Sequence, residues 1–175
     1  MEDQYELERK DLLYYKKSLE LIERIKKDNN SKSIIDIGGW AGGFIKQTSL
    51  DIKHCLDKES KEEINPGVDI IISDFLDWDI QRYDIACCMQ VLEHLSDKDV
   101  SLFAQKLFKV SDHVVISVPF MWHEKFCKYH KQDPVGFSKL KKWTLKKPTE
   151  HYLVREKDNV LRLIAYYKKE QQGNS

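Results

Sequence analysis

Asp36 is followed by Gly38-Gly39-Trp40-Ala41-Gly42-Gly43, a run with four glycines. A glycine-rich turn at the end of a buried strand lets backbone come close to a ligand and aims helix N–H groups at negative charge. Asp57 stands 21 residues beyond Asp36, at the end of the next apolar run. A carboxylate at that place typically holds ribose hydroxyls. Asp74 closes a third apolar run, and Gln90-Val91-Leu92-Glu93-His94 follows a fourth. In open α/β sheets, ligands bind outside the carboxyl ends of the strands. These four features would collect along one such edge. A dinucleotide fingerprint needs G-x-G-x-x-G. Trp40 occupies the second of those glycines, which disfavours a nicotinamide dehydrogenase.

The elements that must position these residues are legible in outline. Leu12, Tyr15, Leu19, Ile22 and Ile25 recur at spacings of three and four, which predicts one amphipathic helix from about Tyr5 to Lys27. Ser33 to Ile37 is a short β-branched run that predicts a buried strand, and Phe44 to Ser49 the helix after the turn. His54-Cys55-Leu56, Asp69 to Ser73 and Tyr83 to Cys88 predict three more strands, those at Asp69 and Tyr83 buried. Ser96, with Asp99 three residues on, reads as a capping-box analogue. The helix it opens carries Val100, Phe103, Leu107 and Val110. His113 to Val118 predicts a further strand, stopped by Pro119. Gly136 to Lys147 reads as a helix. Glu150 to Arg155 and Val160 to Tyr167 read as an antiparallel pair at one edge. Alternating strands and helices predict a mostly parallel α/β sheet with covered faces.

Composition narrows the classes. The chain has 175 residues, 41% hydrophobic and 33% charged, which suits one soluble globular domain. Lys plus Arg equals Asp plus Glu at 29 each, so a nucleic-acid binder held by bulk positive charge is disfavoured. The charge is uneven along the chain: net −6 from Asp51 to Asp84 and +5 from Met121 to Glu150. The basic stretch is a candidate site for an anionic substrate. No apolar run is long enough to span a bilayer, and the charged N-terminus does not read as a signal peptide. None of Cys55, Cys87, Cys88 and Cys127 sits in a C-x-x-C pair, so the expectation is reduced thiols in a cytoplasmic protein.

The run IIDIGGWAGG resembles the first motif of the class I S-adenosylmethionine-dependent methyltransferases, an apolar strand, an acid, one residue, then G-x-G-x-G. It matches at Asp36, Gly38 and Gly42 and departs at Trp40. LDKES resembles the acidic second motif, ISDFLDW the adenine-contacting segment, YDIACCMQVLEHLSD the fourth motif, and VVISVP the strand that follows. The likeness covers residues 33–119, roughly half of the chain.

The resemblance implies a Rossmann-like fold, a seven-stranded mostly parallel sheet with the last strand antiparallel and helices on both faces. It implies one domain over residues 1–175, with an N-terminal helix to 30, a cofactor-binding core over 31–119, and an acceptor-side lid and terminal strands over 120–170. S-adenosylmethionine would be the cofactor. Asp36, Gly38, Gly39, Trp40, Gly42, Asp57, Asp74, Phe75 and Gln90 are its candidate contacts, with Trp40 either leaning over it or covering the core. His94, Glu93 and His123 are the candidate catalytic residues, His94 first because a histidine titrates near neutral pH.

The expected acceptor is a small molecule, sugar-like or anionic, under a lid that includes Trp122, Phe126, Tyr129 and Phe137. Neither nucleic acid nor membrane is expected as a partner, and a homodimer or partner subunit could complete the site. Certain RNA 2′-O-methyltransferases hold magnesium with a Glu-x-x-Glu-His cluster and a later histidine. Here Gln90 stands for the first glutamate, so no metal is expected, although Glu93 and His94 with His123 and His130 keep that alternative open. The other alternative is an inactive methyltransferase-like binding subunit.

Overall fold

The structure is a computed structural model and describes residues 9–60, 65–123 and 126–169. Helix α1 (Leu13–Asn29) buries Tyr14, Tyr15, Ser18, Leu21, Ile22 and Ile25, one face at helical spacing. Lys26 and Lys27 lie in its last turn, where they complement the helix dipole. Asn30 ends it in the left-handed region, at φ 51°. The predicted start at Tyr5 lies outside the described residues. The helix begins only after an extended Leu12, and its cap comes from far away in sequence. The Glu156 carboxylate accepts from the N–H groups of Leu13 and Tyr14, at 2.9 and 2.8 Å. No local pattern carries that signal.

Seven strands follow: β1 (Ser33–Ile37), β2 (Ile52–Asp57), β3 (Asp69–Ile72), β4 (Ile85–Met89), β5 (His113–Pro119), β6 (Glu150–Arg155) and β7 (Leu161–Lys168). They form one sheet in the order β3-β2-β1-β4-β5-β7-β6. β7 runs antiparallel to both its neighbours, and the rest are parallel. The order reverses between β1 and β4, the switch point at which such sheets open a crevice. Beside α1, the helices are α2 (Gly43–Lys46), α3 (Val100–Val110) and α4 (Phe137–Thr144). Ile34, Cys55 and Cys87 pack with α1 and α2 on one face. Ile35, Ile37 and Cys88 pack with α3 and α4 on the other. The alternation follows from the period of two along a strand.

Four expectations change. β3 is the edge strand, so the predicted buried run is half-open and Ile72 is 52% exposed. α2 is a single turn instead of Phe44 to Ser49. α4 stops at Leu145, which is left-handed at φ 55°, instead of reaching Lys147. Ser96 makes no capping box, because its hydroxyl goes to the Asp99 carboxylate, at 2.5 Å, and not to a helix N–H. No helix among the described residues is long and apolar enough to cross a membrane.

Candidate functional site

The turn after β1 begins at Gly38, whose N–H donates to Leu56 on β2, at 2.7 Å. Gly38 has φ 79°, and a Cβ there would stand 2.7 Å from Val91; both facts require glycine. Trp40, at the family's central glycine, takes the same left-handed conformation, at φ 55°. The cost to a bulky residue is real. The Trp40 N–H donates to Asp57 Oδ2, at 3.0 Å, which offsets part of it. Asp57 Oδ1 accepts the Glu59 N–H, at 2.9 Å. Each carboxylate oxygen keeps a further lone pair for a hydroxyl. Asp57 therefore shapes the glycine turn.

A cavity of about 710 Å³ opens at this edge of the sheet. Gly38, Trp40, Asp57, Asp74, Phe75, Gln90 and His94 all line it. Trp40 is thus a wall residue of the cavity. Asp74 is held by its own turn, with Oδ1 accepting from the Leu76 N–H at 2.8 Å. Phe75 is fixed edge-on against Phe103, at 4.6 Å between centroids. Val91, Leu95, Ser96, Asp99, Tyr129 and Lys131 are wall residues that sequence reasoning did not assign to the cofactor or catalysis. The Ser96–Asp99 spacing carried a signal, read there as a helix cap.

Three predicted cofactor contacts lie beneath the wall and not in it. Asp36 points with Ile34 to the α1 face of the sheet, fully buried between Cys55 and Cys87 in register. Burial pushes its carboxyl up to about 7; the Cys87 thiol opposes the rise and the Asp57 charge adds to it. Neither oxygen has a hydrogen-bond partner of good geometry. Gly39 is small because a Cβ there would stand 2.3 Å from Asp36 Oδ2. Gly42 is small, and left-handed at φ 75°, because a Cβ would stand 2.6 Å from Val68. These residues support the turn from behind.

The candidate catalytic residues divide in the same way. His94 reaches the cavity, with Nδ1 hydrogen-bonded to the Tyr129 carbonyl, at 3.2 Å. Burial pulls its imidazole below the ordinary value. Glu93 is fully buried, with both carboxylate oxygens unpartnered. Burial pushes it up to about 8; its own backbone N–H and the Arg162 charge pull the other way. His123 is exposed and away from the cavity wall. His130 takes its place: its ring lies 4.8 Å from His94 and its Nδ1 sits 2.6 Å from Asp133 Oδ2. Potential ligand atoms of Glu93, His94 and His130 lie within 4.8 Å of one another. Two histidines and a carboxylate, each histidine braced on an oxygen, make a donor set that could hold a divalent cation.

Gln90 closes the central wall. It is left-handed, at φ 59°. Its amide donates to Ser117 Oγ, at 3.1 Å, and its Oε1 accepts from Arg162 Nη1. Arg162 comes from β7, more than seventy residues further on, and no sequence signal tied it to the site.

No protein-family model and no curated protein sequence matches the chain. Solved structures do. A S-adenosylmethionine-dependent methyltransferase from Clostridium acetobutylicum ATCC 824 aligns over 95% of this chain and 96% of its own, with TM-score 0.72 and 10% identity. The N-methyltransferase NodS from Bradyrhizobium japonicum WM9, in complex with S-adenosyl-L-homocysteine, aligns over 92% of this chain and 90% of its own, with TM-score 0.66 and 14% identity. The small RNA methyltransferase HEN1 aligns over 90% of this chain and 25% of its own, with TM-score 0.64 and 16% identity. In strand order, in the antiparallel β7 and in these likenesses, the chain has the fold of the class I, Rossmann-like S-adenosylmethionine-dependent methyltransferases.

Proposed function

We propose that the chain is an S-adenosylmethionine-dependent methyltransferase acting on a small-molecule acceptor, with a sugar or sugar-nucleotide hydroxyl as the first class to test. The observation that carries this reading is the convergence of Gly38, Trp40, Asp57, Asp74 and Gln90 on one cavity at the carboxyl ends of the strands. About 710 Å³ suits a cofactor and a small partner. The residues fit the cofactor: a carboxylate with spare lone pairs for ribose, an aromatic and a carboxylate after β3 for the base, and a glycine turn for close backbone approach. When bound, S-adenosylmethionine supplies a methyl group on a positively charged sulfur, already electrophilic.

The protein's part is mostly alignment. Asp57 and the turn fix one end of the cavity, and Gln90, tied to Ser117 and Arg162, fixes the other. Where the acceptor must lose a proton, His94 is the wall residue able to take it. The test is methyl transfer from methyl-labelled S-adenosylmethionine to a panel of sugars and sugar nucleotides. Labelled sugar supports the reading; a chain that binds the cofactor product but methylates none of them retires the acceptor class.

The Glu93-His94-His130 cluster favours a second reading, metal-dependent 2′-O-methylation of RNA. The solved small RNA methyltransferase HEN1 shares the fold. Under that reading a chelator abolishes transfer and RNA replaces sugar as acceptor. Transfer indifferent to chelation retires it.

A further inference from the structure

Arg162 stands behind the cavity wall, where its Nη1 donates to Gln90 Oε1. Its guanidinium is clamped between two aromatic rings, with Cζ 4.6 Å from the Tyr14 centroid and 4.8 Å from that of Trp122. Tyr14 is fully buried, and the Trp122 indole N–H is itself tied to the Leu161 carbonyl, at 2.8 Å. The cation is therefore held in place and partly stripped of water, the condition in which a cation–π contact and a charge both count most. Arg162 Nε is buried without a partner.

Arginine can only donate. Its bond to Gln90 therefore forces Oε1 of that amide towards Arg162 and the NH₂ towards Ser117. One amide hydrogen goes to Ser117 Oγ, and the second has no partner among the described residues. Gln90 presents a donor at the cavity wall, with a fixed positive charge behind it.

The carboxylates on the wall gather mostly at one end. Asp57, Glu59 and Asp74 follow β2 and β3, and the one lysine there, Lys58, lies 3.9 Å from Glu59. On the far side of the switch point stand Gln90, His94, Tyr129 and Lys131. The Lys131 side chain has no partner among the described residues. Its backbone N–H donates to the Glu93 carbonyl, at 2.8 Å, which holds the lysine against the post-β4 segment. Asp99 on that wall is bonded to Ser96.

We propose that the acceptor bears an anionic group, a phosphate or carboxylate, bound at the Gln90 end of the cavity by Lys131 and the Gln90 amide, with Arg162 as the positioning residue behind them. This rests on the methyltransferase reading and narrows its acceptor class. Lysine serves as a mobile point charge on the anion, and the clamped arginine fixes the amide that reads it.

The test uses the full chain saturated with S-adenosyl-L-homocysteine, titrated calorimetrically with glucose 1-phosphate and with glucose. Glucose 1-phosphate should bind at least about tenfold more tightly, with a steep dependence on salt. Lys131→Met should lower that affinity about tenfold and flatten the salt dependence. Arg162→Met should lower it and Arg162→Lys restore part of it, each measured at saturating S-adenosyl-L-homocysteine. Lys131 is exposed, so its variant stays interpretable if the Arg162 variants fold poorly. Equal affinity for the two sugars, no binding of glucose 1-phosphate, or an affinity untouched by Lys131→Met overturns the proposal. A short single-stranded RNA that binds tenfold more tightly than glucose 1-phosphate also overturns it, by moving the anion to a nucleic acid. Failure to bind S-adenosyl-L-homocysteine at all is a different result: it removes the methyltransferase reading itself.

Discussion

The two ends of the cavity are built by different means. At the β1–β3 end, Gly38, Trp40, Asp57 and Asp74 each lie at or just past the end of a strand, and backbone geometry sets the wall. At the Gln90 end, the wall is a side-chain assembly drawn from β4, the segment after β5 and β7, held by Gln90–Ser117, Gln90–Arg162, His94–Tyr129 and His130–Asp133 bonds. The first end can hold a constant ligand with few degrees of freedom. The second can change its ligand by exchanging side chains without touching the sheet, which is how one fold serves many acceptors.

The glycine turn is the part of the cavity most sensitive to substitution. Gly39→Val places a side chain on Asp36 Oδ2, where even a Cβ would stand at 2.3 Å. Thermal denaturation should show a loss of several kcal/mol, on the order of the largest overpacking effects, or no folded protein. Gly38→Val should act alike, since φ is 79° there. If either variant melts within a few degrees of the wild type, the backbone account of this end is wrong.

The acceptor end should lose function without losing the fold. His94→Ala should cut methyl transfer about 100-fold while cofactor-product affinity stays within about threefold. Equal losses in both would place His94 in cofactor binding instead.

The buried carboxyls give the next effect. Burial pushes Asp36 up to about 7 and Glu93 up to about 8, from ordinary values of 3.8 and 4.5. Between those limits the native state holds protons that the unfolded chain has released. Stability contributed by these groups therefore falls as pH rises from about 4 to about 8 and is level above. Glu93→Gln should flatten that fall relative to the wild type and stabilise the protein at pH 8. Denaturant titrations at pH 5 and pH 8 check it, and a steeper fall in the variant contradicts the sign.

The smallest effect is at Trp40. Trp40→Gly relieves a left-handed residue, worth roughly 1 kcal/mol, but removes a half-buried ring from the wall. The melting temperature should move by a few degrees at most, with cofactor-product affinity down about three- to tenfold. Unchanged affinity would mean the ring contributes nothing to binding.

How much was legible follows the same division. The places of Gly38, Asp57 and Asp74 on the cavity wall were legible because they depend on where a strand ends, and strand ends show in apolar runs. Phe75 and Gln90 came with the same local motifs. Asp36 was read as a contact, but its place on the strand turns it with Ile34 to the opposite face, which a period of two could have indicated. β3 read as buried because three isoleucines in a row do not reveal a position at the sheet edge. The Glu156 cap on α1, the choice of His130 over His123 beside Glu93 and His94, and Arg162 behind Gln90 were not legible. Each depends on contacts between segments distant in sequence, which no local pattern encodes. The ring of Trp40 was undecided in sequence because it stands where the resembled motif has a glycine; its left-handed conformation and the Asp57 bond to its N–H are seen only in the structure.

The central claim is that the glycine turn and Asp57 form a cofactor site. Its most direct test is a calorimetric titration of the wild type and of Asp57→Ala with S-adenosyl-L-homocysteine. The account predicts micromolar binding by the wild type and an affinity at least about 100-fold weaker in the variant, as for the loss of charge-assisted bonds to two hydroxyls. No binding by the folded wild type at millimolar ligand, or equal binding by both proteins, would contradict it.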